Sequence, residues 1–195
     1  SPWGAPDAES GAALPQRKPM EQRATGPFAR GVEAARRFDN AAAATHFARA
    51  LAVGPTSHEA AYNLGVVSDR DGRANLALQH YRKALQIQPD YERAAEGIVR
   101  IHLRHGAAPA AVAEVEPIAR RWERNLYLQA LLADALVAAG RLDEAEKAAR
   151  RALTRDERFV PAMVALARAS LARNRHELAA SILEQAGAID ARNPE

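Results

Sequence analysis

The sequence repeats itself with a period of 34 residues. Alanine recurs at this interval five times, at Ala43, Ala77, Ala111, Ala145 and Ala179. Periods of about 20 to 50 residues are typical of arrays whose units cannot bury their apolar faces alone and therefore stack on their neighbours. The period predicts a repeat array in place of an ordinary globular domain.

Five frames share one internal pattern, at residues 24–57, 58–91, 92–125, 126–159 and 160–193. The second frame shows it most completely: Gly65 lies in a first predicted helix, Gly72 makes a turn, Ala77 and Tyr81 lie in a second helix, and Pro89 ends the unit. Gly65 and Ala77 are small because the two helices must approach closely there, and Tyr81 fills the space beside them. Each frame therefore predicts a helix pair.

This pattern resembles the tetratricopeptide repeat (TPR) family, in which a large residue, Leu-Gly and Tyr are followed by Ala, an aromatic residue, Ala and Pro. The resemblance covers about residues 24–193 and implies an all-α, right-handed superhelical solenoid of antiparallel helix pairs. The same skeleton recurs as Gly31, Ala43, Phe47 and Ala50, as Leu132, Gly140, Ala145 and Ala152, and as Leu166, Ala167, Ala179 and Ala186.

Two frames depart from the pattern. The first has Phe38 in place of a turn glycine, so we expect its helix ends to be displaced by one or two residues. The third has Val99 for the helix glycine, Val115 for the aromatic residue, and Pro117 inside its second helix. Because proline lacks an N–H and clashes with the preceding turn, we expect a bend or break near residues 113–117.

The ends of the sequence differ from the array. Residues 1–25, the leader, contain four prolines and no apolar period, which predicts a flexible segment before an array at residues 26–193. No polar-faced helix follows the fifth frame, although repeat arrays need capped ends. We therefore expect either a longer protein or a partner that covers the last repeat.

Composition excludes several classes of protein. Acidic and basic residues are interleaved and the net charge is only +3, which argues against a nucleic-acid partner. The absence of cysteine excludes a disulfide framework and a thiolate metal site. No run reaches the roughly 20 apolar residues that span a bilayer. We expect no cofactor, no bound metal and no direct membrane insertion.

Catalytic motifs are also missing: the sequence has no nucleophile elbow, phosphate-binding glycine loop or dinucleotide fingerprint. His102 and His105 stand at i and i+3, a spacing that can chelate a metal. His102, however, occupies the position where the TPR family packs a tyrosine between helices, which favours a packing role. The sequence predicts that the chain is not an enzyme.

The resemblance implies that function lies on a concave groove lined by the first helices. An apolar strip there suits a partner helix or an extended peptide. Groove arginines would pair either with acidic groups on the partner or with acids of the array itself, and the sequence leaves both open. The predicted groove residues are Phe28, Val32, Tyr62, Asn63, Val66, Asp69, Arg93, Arg100, Arg104, Asp134 and Arg168, with Tyr127, Leu131, Val164 and Leu171 at equivalent positions.

One known use of the TPR groove can be compared residue by residue. Some members hold the terminal carboxylate of a chaperone with a clamp of lysine, asparagine and arginine side chains. The corresponding positions here hold Phe28, Val32, Asn63, Arg93 and Gly97. Only Asn63 and, loosely, Arg93 match, which predicts that this chain has no such clamp.

The sequence thus predicts a non-catalytic scaffold that binds proteins or peptides and assembles a bacterial multiprotein complex. The leader suits a tether to a membrane, which favours a periplasmic or membrane-anchored envelope setting, as for TPR lipoproteins of pilus, secretion or motility machines, over a cytoplasmic one. Two alternatives stay open: a regulatory or substrate-presenting module of a larger enzyme, and a helical-repeat protein that binds RNA.

Overall fold

The computed structural model describes residues 12–192, so the first eleven residues of the leader and the last three residues lie outside the described part. Residues 12–192 form ten α-helices and no strand, which confirms the all-α prediction. The helices are α1 (Gln22–Arg36), α2 (Asn40–Val53), α3 (His58–Arg70), α4 (Ala74–Ile87), α5 (Glu92–Arg104), α6 (Ala108–Arg121), α7 (Leu126–Ala138), α8 (Leu142–Arg155), α9 (Val160–Ala172) and α10 (His176–Arg192).

The helices keep the phase of the sequence period. Helices α3, α5, α7 and α9 begin 34 residues apart, and so do α2, α4, α6, α8 and α10. The turn between the helices of each repeat has a left-handed residue at one equivalent position. Its φ is 60° at Phe38, 73° at Gly72, 69° at Gly106, 73° at Gly140 and 58° at Asn174. The array therefore uses the same turn five times.

The first repeat was expected to have displaced helix ends, and at the connection that lacks a turn glycine that expectation is wrong. Helix α1 ends at Arg36 and α2 begins at Asn40, in phase with the end of α3 and the start of α4. Phe38 adopts the left-handed conformation that glycine adopts elsewhere, although its Cβ makes this conformation costly. The Asp39 side chain then accepts a hydrogen bond from the Ala42 N–H, 3.0 Å away, and caps α2.

Proline does not break the second helix of the third repeat. Helix α6 runs from Ala108 to Arg121 with Pro117 inside it. Pro117 lies on the exposed face, while Ala111, Val115 and Ala119 are buried on the other. Packing of this apolar face holds the helix together although one backbone hydrogen bond is lost.

The first helix begins earlier than the predicted boundary between leader and array. Helix α1 starts at Gln22, so the boundary at residues 25 and 26 falls inside it. The reason is burial: Ala24 has no exposed surface and belongs to an apolar cluster with Ala50, Ala60 and Met20. Residues predicted as leader therefore contribute to the core of the first repeat.

The described chain divides into two compact units. The N-terminal unit holds residues 15–101, and the C-terminal unit holds residues 102–192 together with residues 12–14. Neighbouring helices pack in both: α1 on α2, α2 on α3 and α3 on α4 in the N-terminal unit, and α7 on α8, α8 on α9 and α9 on α10 in the C-terminal unit.

Aromatic rings against glycines fill the core of the N-terminal unit. Phe47 and Tyr81 are buried, and a Cβ added at Gly31 would lie 2.6 Å from the Phe47 ring. A Cβ at Gly65 would lie 2.5 Å from the Tyr81 ring, and one at Gly97 would lie 2.6 Å from it. Real Cβ contacts are longer than this, so the rings occupy the space that only glycine leaves.

The fourth repeat, in the C-terminal unit, fills the equivalent positions with alanine. Ala133 replaces the glycine and Ala149 replaces the aromatic residue, and both are fully buried. Leucines supply the bulk of this core, with Leu128, Leu136 and Leu153 among its largest buried side chains. The two units therefore keep the same repeat length with different packing.

Candidate partner-binding surface

The apolar strip predicted in the N-terminal unit packs largely into the core. The Phe28 ring lies 5.5 Å from the Phe47 ring, centroid to centroid. The Tyr62 ring lies 5.7 Å from Tyr81 and 5.6 Å from Tyr91. Val32 and Val66, the other members, are also half-buried against core residues. These side chains stabilise the repeats and offer a partner only part of their surface.

Asn63 bonds to its own helix. Its Nδ2 donates to the Glu59 carbonyl oxygen at 2.8 Å, one turn earlier in α3. The side chain is half-buried. This hydrogen bond satisfies the amide donor within α3, which is the ordinary role of a partly buried asparagine.

The arginines predicted in the N-terminal unit differ in their surroundings. Arg100 Nη2 donates to Tyr81 Oη at 3.4 Å and lies 3.6 Å from Asp69 Oδ2. Burial raises the pKa of Tyr81 to about 12, against the opposite effect of Arg100, so the phenol stays neutral. Arg93 is exposed on α5. Of the two alternatives for Arg100, the structure shows pairing within the array.

The first helices of the C-terminal unit carry an ion pair between equivalent repeat positions. Arg168 Nη1 of α9 lies 2.8 Å from Asp134 Oδ1 of α7, and the two residues are 34 apart in sequence. Both side chains keep solvent contact, so the pair contributes little stability. It does show that α7 and α9 present these positions side by side. Arg104, the remaining predicted arginine, is exposed at the end of α5.

Apolar side chains flank this ion pair. Tyr127 of α7 is 57% exposed and meets the Phe159 ring edge-on, with centroids 4.9 Å apart. Leu171 of α9 is 43% exposed. Together with the half-buried Leu131 and Val164 and the Asp134–Arg168 pair, Tyr127 and Leu171 form what we call the α7–α9 surface.

The aromatic residues of the predicted apolar strip are half-buried, whereas Tyr127 is exposed. The prediction places Phe28 and Tyr62 in the apolar strip and Tyr127 among the groove positions of the fourth frame. The sequence signal for the exposure of Tyr127 is its place in the repeat frame. Tyr127 stands where the second and third frames have the charged residues Glu59 and Arg93, while Ala130 stands at the position of Tyr62.

The two histidines with metal-ligand spacing lie in different surroundings. His102 Nε2 lies 3.3 Å from Glu114 Oε1 of α6, while His105 is exposed at the following turn. Among residues 12–192 no group of three or more potential ligands could hold a metal ion. Within the same residues no helix combines the length and apolar character needed to cross a bilayer.

Comparison with known families agrees with the helix pairs and their phase. The tetratricopeptide repeat family matches residues 28–92 and 97–157, and a second tetratricopeptide repeat match covers residues 136–195. The chain belongs to the tetratricopeptide repeat family. No curated protein matches its sequence.

Solved TPR structures share this fold at low sequence identity. MamA residues 41 to the end from Desulfovibrio magneticus RS-1 is 16% identical, with a TM-score of 0.64 over 91% of this chain and 100% of that one. Another MamA crystal structure is 15% identical, with a TM-score of 0.61 over 87% and 92%. YrrB, described as a TPR protein with an unusual peptide-binding site, is 16% identical, with a TM-score of 0.57 over 86% and 87%.

Proposed function

We propose that this TPR protein is a non-catalytic scaffold that binds a helix or an extended peptide of a partner protein on its first-helix surface. The observation that carries the proposal is the α7–α9 surface, where Tyr127 and Leu171 stay exposed on the face that the family uses for binding. Large apolar side chains that the core does not use are the usual anchors of protein interfaces.

The chemistry of the α7–α9 surface defines the kind of partner. Apolar side chains supply contact area, and the Asp134–Arg168 pair lies between them with both charges accessible. A partner with apolar residues on one face and a charged residue beside them would match this arrangement. The charges would set orientation and association rate more than affinity.

Family membership supports a binding role over catalysis. The structural relatives include YrrB, whose description as a protein with a peptide-binding site gives a precedent for the proposed role on the same fold. Assembly of a bacterial envelope complex, and a periplasmic or membrane-anchored location, rest on the leader and the composition. They stay predictions.

Site-specific photo-crosslinking tests the proposal with a matched pair of leucines. Leu171 lies on first helix α9 and Leu178 on second helix α10, and each is 43% exposed. A photoreactive amino acid at Leu171 should give a discrete adduct with a protein from the source organism. The same amino acid at Leu178 should give none.

Two further steps make the result decisive. The adduct at Leu171 is identified by mass spectrometry, and the identified partner is then titrated against the Tyr127→Ala and Arg168→Glu variants, which should bind it more weakly. Equal adducts at Leu171 and Leu178, or adducts at Leu178 alone, would show that the first-helix surface is not the binding site.

A further inference from the structure

The end of the leader lies against the N-terminal unit and is held by an arginine. Residues 12–21 have no helical or strand structure. Arg17 Nη2 donates to both carboxylate oxygens of Glu92, at 3.1 and 2.9 Å. The Arg17 guanidinium carbon lies 5.5 Å from the centroid of the Tyr91 ring. The Arg17 guanidinium thus contacts the carboxylate of Glu92, 75 residues away in sequence, and the aromatic ring of Tyr91.

Other contacts hold the leader on both sides of Arg17. Gln88 Nε2 donates to the carbonyl oxygen of Pro15 at 3.4 Å, and Met20 packs against the cluster of Ala24, Ala50 and Ala60. Pro15 and Met20 are half-buried, whereas Arg17 keeps 48% of its side-chain surface exposed and its neighbours Gln16, Lys18 and Pro19 are also exposed. Contacting residues separated by exposed ones are the pattern of an extended peptide bound along a surface.

The surface under Arg17 is ordered by its own contacts. Gln88 Nε2 also donates to Asp90 Oδ1 at 2.8 Å, and both side chains are buried. The Tyr91 ring meets the His58 ring edge-on at 4.6 Å and the Tyr62 ring at 5.6 Å. A site whose side chains are fixed by neighbours in this way binds a ligand without losing much side-chain freedom.

Only one repeat junction of the array has this combination of residues. Tyr91 and Glu92 stand where the other junctions have Ser57 and His58, Asn125 and Leu126, and Phe159 and Val160. None of those pairs joins an aromatic ring to a carboxylate. An arginine-bearing segment can therefore distinguish this junction from the other three by chemistry alone.

We propose that Gln88, Tyr91 and Glu92 form a recognition site for an extended, arginine-bearing peptide, and that leader residues 15–20 are its tethered ligand. The site lies beside Tyr62, a predicted groove residue, through the Tyr62–Tyr91 ring contact. The tethered leader blocks this site until a peptide of the same chemistry displaces it. This proposal does not depend on binding at the α7–α9 surface.

A peptide competition experiment tests the site on the full chain. The probe is a fluorescent peptide of residues 12–21, titrated into the wild-type chain and into Arg17→Glu, with binding followed by anisotropy. A short tether gives an effective concentration on the order of 1 mM, so a site with an intrinsic Kd of about 0.1 mM should appear about tenfold weaker in the wild-type chain. The Arg17→Glu chain, whose leader cannot bind Glu92, should bind the probe about tenfold more tightly.

Matched variants separate recognition from general charge effects. Lys18→Glu makes the same charge change at the adjacent, exposed residue and should behave as wild type. Adding Glu92→Gln to the Arg17→Glu chain should abolish probe binding, and so should changing arginine to glutamate in the probe itself. Circular dichroism confirms that each chain is folded, and amide exchange at residues 88–93 should rise in Arg17→Glu but not in Lys18→Glu.

Several results would overturn the proposal. Equal probe affinity for the wild-type and Arg17→Glu chains would show that the leader does not occupy the site. Undetectable binding to Arg17→Glu at about 1 mM probe, where a peptide site of this kind should fill, would show that there is no recognition site. The ratio of probe affinities, Arg17→Glu chain over wild-type chain, should not depend on chain concentration. A ratio that grows with chain concentration would mean that the leader binds a second copy and not its own chain.

Discussion

The two units solve the same packing problem with opposite side chains. In the N-terminal unit, Gly31 and Gly65 leave room for the rings of Phe47 and Tyr81. In the fourth repeat, within the C-terminal unit, alanine occupies both positions, at Ala133 and Ala149. A repeat interface therefore accepts a large side chain against a glycine, or two alanines, provided that neighbouring side chains such as Leu128 and Leu136 fill the remaining space.

The two units also differ in the aromatic side chains of their first helices. A core built around Tyr81 draws Tyr62 of the first helix into ring contacts, so the N-terminal unit uses its groove aromatics for stability. The fourth repeat has Ala130 at the position of Tyr62; its groove aromatic, Tyr127, stands three positions earlier in the frame, meets the Phe159 ring and stays 57% exposed. Four predictions test this contrast, beginning with the largest expected effect.

Removing the central ring should damage the N-terminal unit most. Tyr81→Ala should lower the free energy of unfolding by about 3–5 kcal/mol, since it empties a fully buried site between Gly65 and Gly97. Urea denaturation measures this effect. Ala149→Gly, at the equivalent position of the C-terminal unit, should cost about 1 kcal/mol. Similar losses for both variants would contradict the contrast.

Adding a methyl group at the helix glycine should also destabilise the protein. Gly65→Ala should cost about 1–3 kcal/mol because its Cβ would meet the Tyr81 ring at 2.5 Å. The control is Gly187→Ala in α10, where nothing lies within 4 Å of the added Cβ and helix propensity should stabilise by about 0.5–1 kcal/mol. A stabilised Gly65→Ala protein would refute the close approach.

The turn residue of the first repeat should be improvable. Phe38 is 80% exposed and has φ of 60°, so Phe38→Gly should stabilise by about 1 kcal/mol when measured by thermal unfolding. Asn174→Gly, at the equivalent turn of the last repeat, should change little because asparagine tolerates this conformation. A loss of stability in Phe38→Gly would show that the ring has a structural role.

Acid should weaken the N-terminal unit slightly, and we expect the smallest of the four effects here. Burial lowers the pKa of His58 below its ordinary 6.5; Arg17 also lowers it, whereas Glu59, Asp90 and Glu92 oppose the shift. Burial alone lowers the pKa of His80. The unfolded chain therefore takes up protons first as pH falls. The stability that the two neutral histidines contribute is complete above about pH 6.5, their pKa in the unfolded chain. It is lost as the pH falls toward their lower pKa values in the folded chain.

Urea midpoints at pH 7.5 and 5.5 measure this loss. A His58→Gln/His80→Gln double variant should lose less stability between the two pH values than the wild-type chain. Because every carboxylate is the same in both proteins, the difference isolates the histidines. Equal losses in the two proteins would contradict the histidine account.

Much of the fold could be predicted from the sequence because a strict 34-residue period sets where the equivalent helices of each repeat lie. The landmarks from Ala43 to Ala179 fixed the phase of the helices, and the close approach at Gly65 followed from residue size alone. The regular turn at Phe38 and the unbroken helix at Pro117 could not be predicted from the two residues alone, because local conformational cost competes with packing from whole neighbouring helices. At both positions, packing against neighbouring helices outweighs the local conformational cost.

The candidate sites were harder to predict for a related reason. Tyr62 packs on Tyr81 and Tyr91, whereas Tyr127 stands at another repeat position and meets only the edge of a ring outside its helix. A list of first-helix positions does not include these neighbours. The contact of Arg17 with Glu92 joins residues 75 apart, with no motif to connect them. Periodicity describes what the repeats share, while binding depends on where they differ.

Paired measurements on Tyr62→Ala and Tyr127→Ala test the central claim most directly: the free energy of unfolding, and the affinity for the partner crosslinked at Leu171. Tyr127→Ala should leave stability nearly unchanged and weaken binding about tenfold or more. Tyr62→Ala should lower stability by about 3 kcal/mol, since its ring packs on Tyr81 and Tyr91. The account would be contradicted if Tyr127→Ala bound the partner as tightly as wild type, or if it lost as much stability as Tyr62→Ala.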